Sequence, residues 1–302
     1  MSLFSRLFGQ SAAVPSPRLR EVLCAGSKGL HRMRYTEWGD PSNPRVLVCV
    51  HGLTRQGRDF DTLARGLMPH YRVVCPDVAG RGRSDWLPDP MGYSIPHYVA
   101  DMVTLLARLN AETVDWVGTS MGGLIGLGVA ALKGSSLRRL VLNDVGPSIQ
   151  AAALQRIGTY LGMPVRWNTV EEAADAMWAI SQGFGPHTRE QWLALSRPQL
   201  VEDGQGGFKP RYDPGIAMPF RAITPELAAF GEAALWQAWD SLTLPALLLR
   251  GAQSDLLSHD TAQAMTQRGP RAELIEFEGV GHAPTLVADD QRAAVERFLL
   301  SP

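Results

Sequence analysis

Residues 112–132, E-T-V-D-W-V-G-T-S-M-G-G-L-I-G-L-G-V-A-A-L, decide the fold of this chain. The apolar run at 114–117 predicts a short buried strand, and the Gly- and Ala-rich run at 124–132 predicts a helix packed closely on a sheet. Between them, G-T-S-M-G at 118–122 predicts a sharp turn that lifts the hydroxyl of Ser120 above the sheet. Both flanking glycines are needed, because a side chain there would collide with the crossing backbones.

The composition is that of a globular protein with room for one large domain and an insertion, since 45% of the 302 residues are hydrophobic and 20% are charged. A net charge of −1 gives no positive surface for nucleic acid, so no such partner is expected. No segment reaches about 18 unbroken apolar residues, which argues against a membrane span. Cys24, Cys49 and Cys75 match neither a disulfide framework nor a metal site, and they predict reduced thiols in a cytoplasmic protein.

From residue 45 onward, strand-like apolar runs alternate with helical patterns, following an antiparallel start at 19–23 and 30–38. This alternation demands right-handed crossovers and predicts an α/β fold with a mostly parallel central sheet and helices on both faces. In such a sheet, functional residues lie at the carboxyl ends of the strands. The later strand-like runs are at 45–50, 71–74, 114–117, 137–142, 246–249 and 272–277.

Residues 148–240 interrupt the alternation, because they show helical patterns and no strand-like run. They predict an α-helical lid inserted after the sixth strand, within a core domain made of residues 18–147 and 241–302. The stretch 202–219, rich in Gly and Pro, predicts a loop. Residues 1–17 lack the continuous apolar segment of a signal peptide and predict an N-terminal arm.

Three residues that can cooperate in nucleophilic catalysis follow strands in the order Ser120, Asp255, His282. A serine hydroxyl is a poor nucleophile, so it needs an imidazole to take its proton and a carboxylate to orient that imidazole. Asp255 ends the string R-G-A-Q-S-D and is the favoured acid. Asp144, at the end of the sixth strand, is the rival candidate for the acid. Its alternative, structural role is to cap the entrance of the lid.

Together with two further strings, these motifs resemble the α/β-hydrolase superfamily over nearly the whole chain outside the lid. One string is His51-Gly52-Leu53 after a buried strand, and the other is D-x-x-G-x-G-x-S from Asp77. Arg81 and Arg83 in the second string could bind an anion, but a structural role for this loop is favoured. The resemblance implies that the amides of Leu53 and Met121 form an oxyanion hole. It implies a structural role for His51.

The resemblance implies a carboxylesterase that cleaves small-molecule esters of small to medium acyl groups through an acyl intermediate on Ser120. Ser120 in the turn at 118–122, called the elbow below, does not fit the haloalkane dehalogenases and related epoxide hydrolases, which attack with Asp. No Walker loop, G-x-G-x-x-G or H-E-x-x-H occurs, so neither a cofactor nor a metal is expected. Residues proposed to meet the substrate are Arg55, Asp144, Trp178 and Trp236.

The main alternative is a hydrolase of carbon–carbon bonds in aromatic ring-fission products, which shares the S-M-G-G elbow and the helical lid. In that reading Arg55 or Arg58 meets a substrate carboxylate. That family commonly carries Trp directly after its catalytic His, whereas this chain has Ala283. Three other activities remain open: lactonase, thioesterase and perhydrolase. So does a binding protein without catalytic activity. The protein could also form a homodimer.

Overall fold

The computed structural model describes residues 16–301, so the predicted N-terminal arm lies almost wholly outside the described residues. An eight-stranded sheet has the order β1-β2-β4-β3-β5-β6-β9-β10, and β7 pairs with β8 in a separate hairpin. The strands are β1 Arg18–Gly26, β2 Gly29–Trp38, β3 Val46–Val50, β4 Arg72–Pro76, β5 Val114–Thr119, β6 Leu137–Asn143, β7 Leu200–Glu202, β8 Phe208–Pro210, β9 Ala246–Gly251 and β10 Glu273–Phe277. Only the β1–β2 and β2–β4 pairings of the large sheet are antiparallel, which confirms the predicted mostly parallel α/β fold.

Ten α-helices within residues 16–301 connect and cover the strands. They are α1 Asp61–Leu67, α2 Ile95–Leu109, α3 Met121–Ala130, α4 Ala151–Tyr160, α5 Val170–Ser181, α6 Arg189–Ser196, α7 Ala217–Arg221, α8 Pro225–Ser241, α9 His259–Gln267 and α10 Asp289–Leu300. None of these helices combines the length and the apolarity that crossing a bilayer requires.

The strand β3 shows why helices cover both faces of the sheet. Val46, Val48 and Val50 pack into one hydrophobic core, while Leu47 and Cys49 pack into a second. Because successive side chains of a strand point to opposite faces, an unbroken apolar run must be covered on both sides. Side chains of α2, α3, α8 and α9 complete the first core, and those of α1 and α10 complete the second.

The segment between β6 and β9 contains the helices α4 to α8, in agreement with the helical pattern of the sequence. It also contains the β7–β8 hairpin, so the expectation of helices alone, with a loop at 202–219, is wrong. The two strands are only three residues long, too short for a periodic pattern. Asp203 stabilises their turn, since its carboxylate accepts hydrogen bonds from the amides of Gln205 and Gly207 at 2.7 and 2.9 Å.

The turn between β5 and α3 has the strained geometry that its sequence predicts. Ser120 has φ 52° and ψ −118°, a conformation that a residue with a side chain rarely adopts. A Cβ on Gly118 would overlap the carbonyl of Gly122, and a Cβ on Gly122 would overlap the carbonyl of Val50. The elbow is therefore held between backbones that leave no room for a methyl group.

We expect Gly122→Ala to lower the free energy of unfolding by about 3 kcal/mol or more, because backbone rather than a flexible side chain would have to move. Gly231→Ala is the matched control, since a Cβ there meets no atom within 4 Å. Inside an exposed helix that change should be neutral or stabilise by up to about 1 kcal/mol. Urea denaturation followed by circular dichroism measures both, and equal midpoints for the two variants would contradict the packing argument.

Candidate active site

Three side chains form a continuous chain of hydrogen bonds at the carboxyl end of the sheet. Ser120 lies at the turn between β5 and α3, and His282 lies in the loop between β10 and α10. Nε2 of His282 is 3.0 Å from Oγ of Ser120, and Nδ1 is 2.7 Å from Oδ2 of Asp144. In this arrangement the imidazole can take the hydroxyl proton while the carboxylate stabilises the resulting imidazolium.

Asp144 directly follows β6, the neighbour of β5 in the sheet, and its side chain is fully buried. The amide of Gly251 donates to Oδ1 at 2.9 Å, and the hydroxyl of Ser254 donates to Oδ2 at 2.6 Å. With the bond to His282, both carboxylate oxygens have partners. Such bonds fix the direction in which the carboxylate faces the imidazole.

The prediction that Asp255 orients His282 is wrong. The carboxylate of Asp255 is 45% exposed and accepts two hydrogen bonds from the guanidinium of Arg156, at 2.6 and 2.9 Å. The string R-G-A-Q-S-D supplies the Gly251 amide and the Ser254 hydroxyl that hold Asp144, rather than the acid itself. Its last residue, Asp255, bonds to Arg156, and the carboxylate on Nδ1 of His282 is that of Asp144.

The loop after β3 lies against the elbow, as the expected oxyanion hole requires. A Cβ on Gly52 would be 3.7 Å from Cβ of Ser120. Met121 is the first residue of α3, so its amide has no acceptor within the helix. In the described part of the chain, the amide of Leu53 donates to no protein acceptor either. The geometry supports the prediction that these two amides bind an oxyanion.

His51 holds the Gly52 loop in place. The amide of Val78 donates to Nε2 at 2.9 Å, and Nδ1 donates to the carbonyl of Gly52 at 2.7 Å. Complete burial lowers the pKa of His51 to about 3, so the ring is neutral and can accept at one nitrogen while donating at the other. The structural role expected from the sequence matches these contacts.

Arg81 connects the two residues of the candidate oxyanion hole, which the sequence did not indicate. Its Nε donates to the carbonyl of Leu53 at 2.8 Å, and its Nη2 lies 3.5 Å from Sδ of Met121. Nη1 donates to the hydroxyl of Tyr98 at 2.7 Å. The side chain is fully buried, and none of its hydrogen-bond partners among the described residues is a carboxylate. The guanidinium therefore contacts both residues of the candidate oxyanion hole, and it also lies over the rings of Tyr93 and Tyr98, 5.6 and 5.0 Å from their centroids.

A mostly apolar cavity adjoins the elbow and the His282 loop. Its lining comprises His51, Arg55, Asp59, Phe60, Thr119, Phe184, Leu195, Ala283, Pro284 and Thr285. Arg55 lies there as expected, but its Nε and Nη2 both donate to the carboxylate of Asp59 at 2.7 Å. Burial raises the pKa of Asp59 even with this partner. The Arg55 guanidinium is thus already bound by a carboxylate of the protein.

The two tryptophans proposed to meet the substrate lie elsewhere. The Trp178 ring packs edge to face on His187 and Trp192, with centroids 6.2 and 5.0 Å away, inside an aromatic cluster of the insertion. The indole N–H of Trp236 donates to the hydroxyl of Ser148 at 2.9 Å and anchors α8 to the start of the insertion. Neither ring lines the cavity beside the elbow.

The insertion contacts the catalytic loop directly. The amide of Gly281 donates to the carbonyl of Gly183 at 2.5 Å. Nε2 of His187 is 2.7 Å from the hydroxyl oxygen of Thr285, so both sides of His282 are tied to residues of the insertion. These bonds restrict the loop that carries the imidazole.

A protein-family model described as "Alpha/beta hydrolase family" matches residues 47–297 of this chain. The chain is 56% identical over 288 residues to a 3-hydroxybutyrate-oligomer hydrolase from Cupriavidus necator, covering 94% of this chain and 98% of the relative. It is 27% identical to a pimeloyl-[acyl-carrier protein] methyl ester esterase from Xanthomonas campestris pv. campestris, covering 84% of this chain and 94% of that one.

Among solved structures, an alpha/beta hydrolase from Novosphingobium aromaticivorans superposes with a TM-score of 0.82 at 36% identity. The superposition covers 94% of this chain and 99% of that one. The similarity therefore extends over the insertion as well as the sheet.

We expect Asp144→Asn to slow the labelling of Ser120 by a fluorophosphonate on the order of 10⁴-fold, because the amide no longer holds the imidazole as a base. Asp255→Asn should change the rate by less than about threefold, since an exposed ion pair contributes little. Mass spectrometry of the labelled protein gives both rates. The reverse ranking would restore the acid favoured from the sequence.

Proposed function

Because the chain belongs to the alpha/beta hydrolase family, we propose that it hydrolyses carboxylic esters through an acyl intermediate on Ser120. The observation that carries this proposal is the hydrogen-bonded sequence of hydroxyl, imidazole and carboxylate formed by Ser120, His282 and Asp144. Esterases and an oligomer hydrolase among the relatives support the same class of reaction.

In the first half of the reaction, Oγ of Ser120 attacks the ester carbonyl while Nε2 of His282 takes the hydroxyl proton. The negative charge that develops on the carbonyl oxygen is stabilised by the amides of Leu53 and Met121, two residues that the guanidinium of Arg81 contacts. His282 then donates its proton to the leaving alkoxide, and the alcohol departs.

In the second half, a water molecule attacks the acyl group while His282 again takes a proton. The tetrahedral intermediate collapses, the proton returns to Oγ of Ser120, and the carboxylic acid leaves. Asp144 stays ionised throughout and stabilises the imidazolium in both halves.

We further propose that the substrates are short oligomers of 3-hydroxybutyrate, which the relative at 56% identity is named for hydrolysing. Each ester of such an oligomer joins two units, and each unit carries one methyl branch. The small cavity beside the elbow, lined by apolar side chains such as Phe60, Phe184 and Leu195, suits a short branched unit better than a long acyl chain.

The carbon–carbon hydrolase alternative loses one of its supports from the sequence, the pair of arginines, although it shares the S-M-G-G elbow. It needs a guanidinium that is free to bind a substrate carboxylate. Arg55 is occupied by Asp59, and Nε of Arg58 donates to both oxygens of Asp61 at 2.8 and 2.9 Å. Both cations are neutralised within the protein, which favours an ester over an anionic ring-fission product.

We place the reaction in the cytoplasm, since Cys24, Cys49 and Cys75 are all buried free thiols. A reducing compartment is where such thiols persist.

Purified protein should cleave a linear trimer of 3-hydroxybutyrate with a kcat/KM at least tenfold above that for p-nitrophenyl butyrate, because the trimer offers the branched units for which the relative at 56% identity is named. Ser120→Ala should lower the rate by at least about 10³-fold. Chromatography of the acids released provides the measurement. Preferential cleavage of a dienol-keto acid would reject the ester proposal.

Arg81→Lys should lower kcat by about tenfold to 10²-fold, less than the loss of a direct oxyanion donor. Lysine keeps the charge but cannot hold the Leu53 carbonyl and reach Tyr98 at once. KM should change by less than about threefold, because the bound ester carries no oxyanion, which develops only as the carbonyl is attacked. Arg83→Lys, at an exposed position of the same loop, is the control. A rise in KM at constant kcat would assign Arg81 to substrate binding instead.

A further inference from the structure

The amide side chain of Asn143 contacts the segments next to the nucleophile and the imidazole. Asn143 is the last residue of β6, directly before the acid Asp144. It pairs in register with Thr119, the last residue of β5, which directly precedes the nucleophile. Its Nδ2 donates to Oγ1 of Thr119 at 3.0 Å and to the carbonyl of Pro284 at 2.7 Å. Because Pro284 belongs to the loop that carries His282, one side chain joins the three segments of the catalytic group.

The two donated bonds account for the orientation of this amide. The carbonyl of Pro284 can only accept, so the amide atom 2.7 Å from it must be the nitrogen. Asn143 is fully buried, and its Oδ1 has no hydrogen-bond partner among the described residues. A buried amide oxygen without a partner lowers stability, a cost that an apolar side chain would not have. What the amide supplies here is its pair of donors.

The backbone of Asn143 is bonded independently of its side chain. Its carbonyl accepts a hydrogen bond from the amide of Ser120 at 2.9 Å. The next amide, that of Asp144, donates to the carbonyl of Leu249 at 2.8 Å. A substitution at position 143 leaves these backbone groups in place, so it tests the two bonds of the side chain.

The bond to Pro284 attaches the imidazole loop to the central sheet. The bonds of this loop at Gly281 and Thr285 lead instead to residues of the insertion. Asn143 therefore relates His282 to the strand end that also presents the acid. Such a link matters for the rate, because a displacement of about 1 Å in a reacting group can cost about 10²-fold.

We propose that Asn143 is a positioning residue that holds the Ser120 hydroxyl within reach of the His282 imidazole. This inference rests on the proposed acyl transfer to Ser120. The residue acts through its bonds to Thr119 and Pro284, since it is fully buried and does not line the cavity beside the elbow. Without the amide, the two segments lose their common partner, and the 3.0 Å contact between Oγ and Nε2 forms less often.

The first experiment measures how fast a fluorophosphonate modifies Ser120 in the full chain, with mass spectrometry as the readout. Asn143→Ala removes both donated bonds and should lower the rate constant of labelling by about 30-fold to 10²-fold, because the base is displaced from the hydroxyl. A role in folding alone would lower the fraction of protein that reacts and leave the rate constant of that fraction unchanged. That result would overturn the proposal.

Gln291→Ala is the matched control. Gln291 is also a buried amide that bonds the imidazole loop, since its Oε1 accepts from the amide of Leu286 at 2.8 Å, beyond Pro284. Its removal should lower the thermal midpoint, as Asn143→Ala does, but change the rate constant by less than about threefold, because Leu286 is farther along the loop from the imidazole. Equal losses of rate in the two variants would contradict a specific role for Asn143.

Substitution of Thr119 tests the other end of the link. Thr119→Val keeps the shape of the side chain but removes the acceptor, and it should slow labelling by about threefold to tenfold. Thr119→Ser keeps the hydroxyl and should react faster than Thr119→Val. Combined with Asn143→Ala, Thr119→Val should add no further loss, because both changes break the same bond. Losses that multiply would overturn the proposed link.

These measurements separate the inference from the proposed function. A parent chain that does not react at Ser120 would overturn both. A parent that reacts, together with an Asn143→Ala variant that reacts equally fast, would overturn the positioning role alone. If Asn143→Ala does not fold, the ranking of Thr119→Val below Thr119→Ser still decides the matter, since neither of those variants empties a buried position.

Discussion

The close approach of Gly122 to the carbonyl of Val50 is the constraint on which the rest of the site depends. It joins the ends of β3 and β5, which are neighbours in the sheet, so the loops that follow them must face each other. One loop brings the amide of Leu53 and the other brings Ser120 with the amide of Met121. Because backbone meets backbone at this contact, no side-chain rearrangement can relax it, and the distance from the nucleophile to both amides is fixed by the packing of the sheet.

The same logic explains why the acid comes from β6. Parallel neighbours end side by side, so Asp144 is one strand spacing from Ser120, whereas Asp255 belongs to the loop after β9, one strand farther away. That outer loop still takes part, since its Gly251 amide and Ser254 hydroxyl hold the carboxylate of Asp144. The string R-G-A-Q-S-D therefore provides hydrogen-bond donors to the acid. The sequence pattern alone cannot distinguish residues that hold the acid from the acid itself.

Features that depend on residues close together in the chain could be predicted from the sequence, whereas features that depend on distant residues could not. The alternation of apolar runs gives the sheet, and the elbow string gives Ser120, because both depend on neighbours in the chain. The choice between Asp144 and Asp255 depends on strand order, and the role of Arg81 depends on a contact 28 residues away with Leu53. The tryptophans of the insertion could not be placed either, because an amphipathic helix shows which side chains are apolar but not which partner covers them.

The insertion is hydrogen-bonded to the core at two of the loops that build the site. Residues 183–187 bond to the loop around His282, and residues 211–213 bond to the loop around Arg81, where the amide of Gly82 donates to the carbonyl of Arg211. If the insertion moved away as one rigid body, it would break the bonds to the loop that carries the imidazole and those to the loop that carries Arg81. A local opening that keeps both attachments breaks fewer hydrogen bonds and leaves the catalytic geometry intact, so the physical cost favours substrate access by that route.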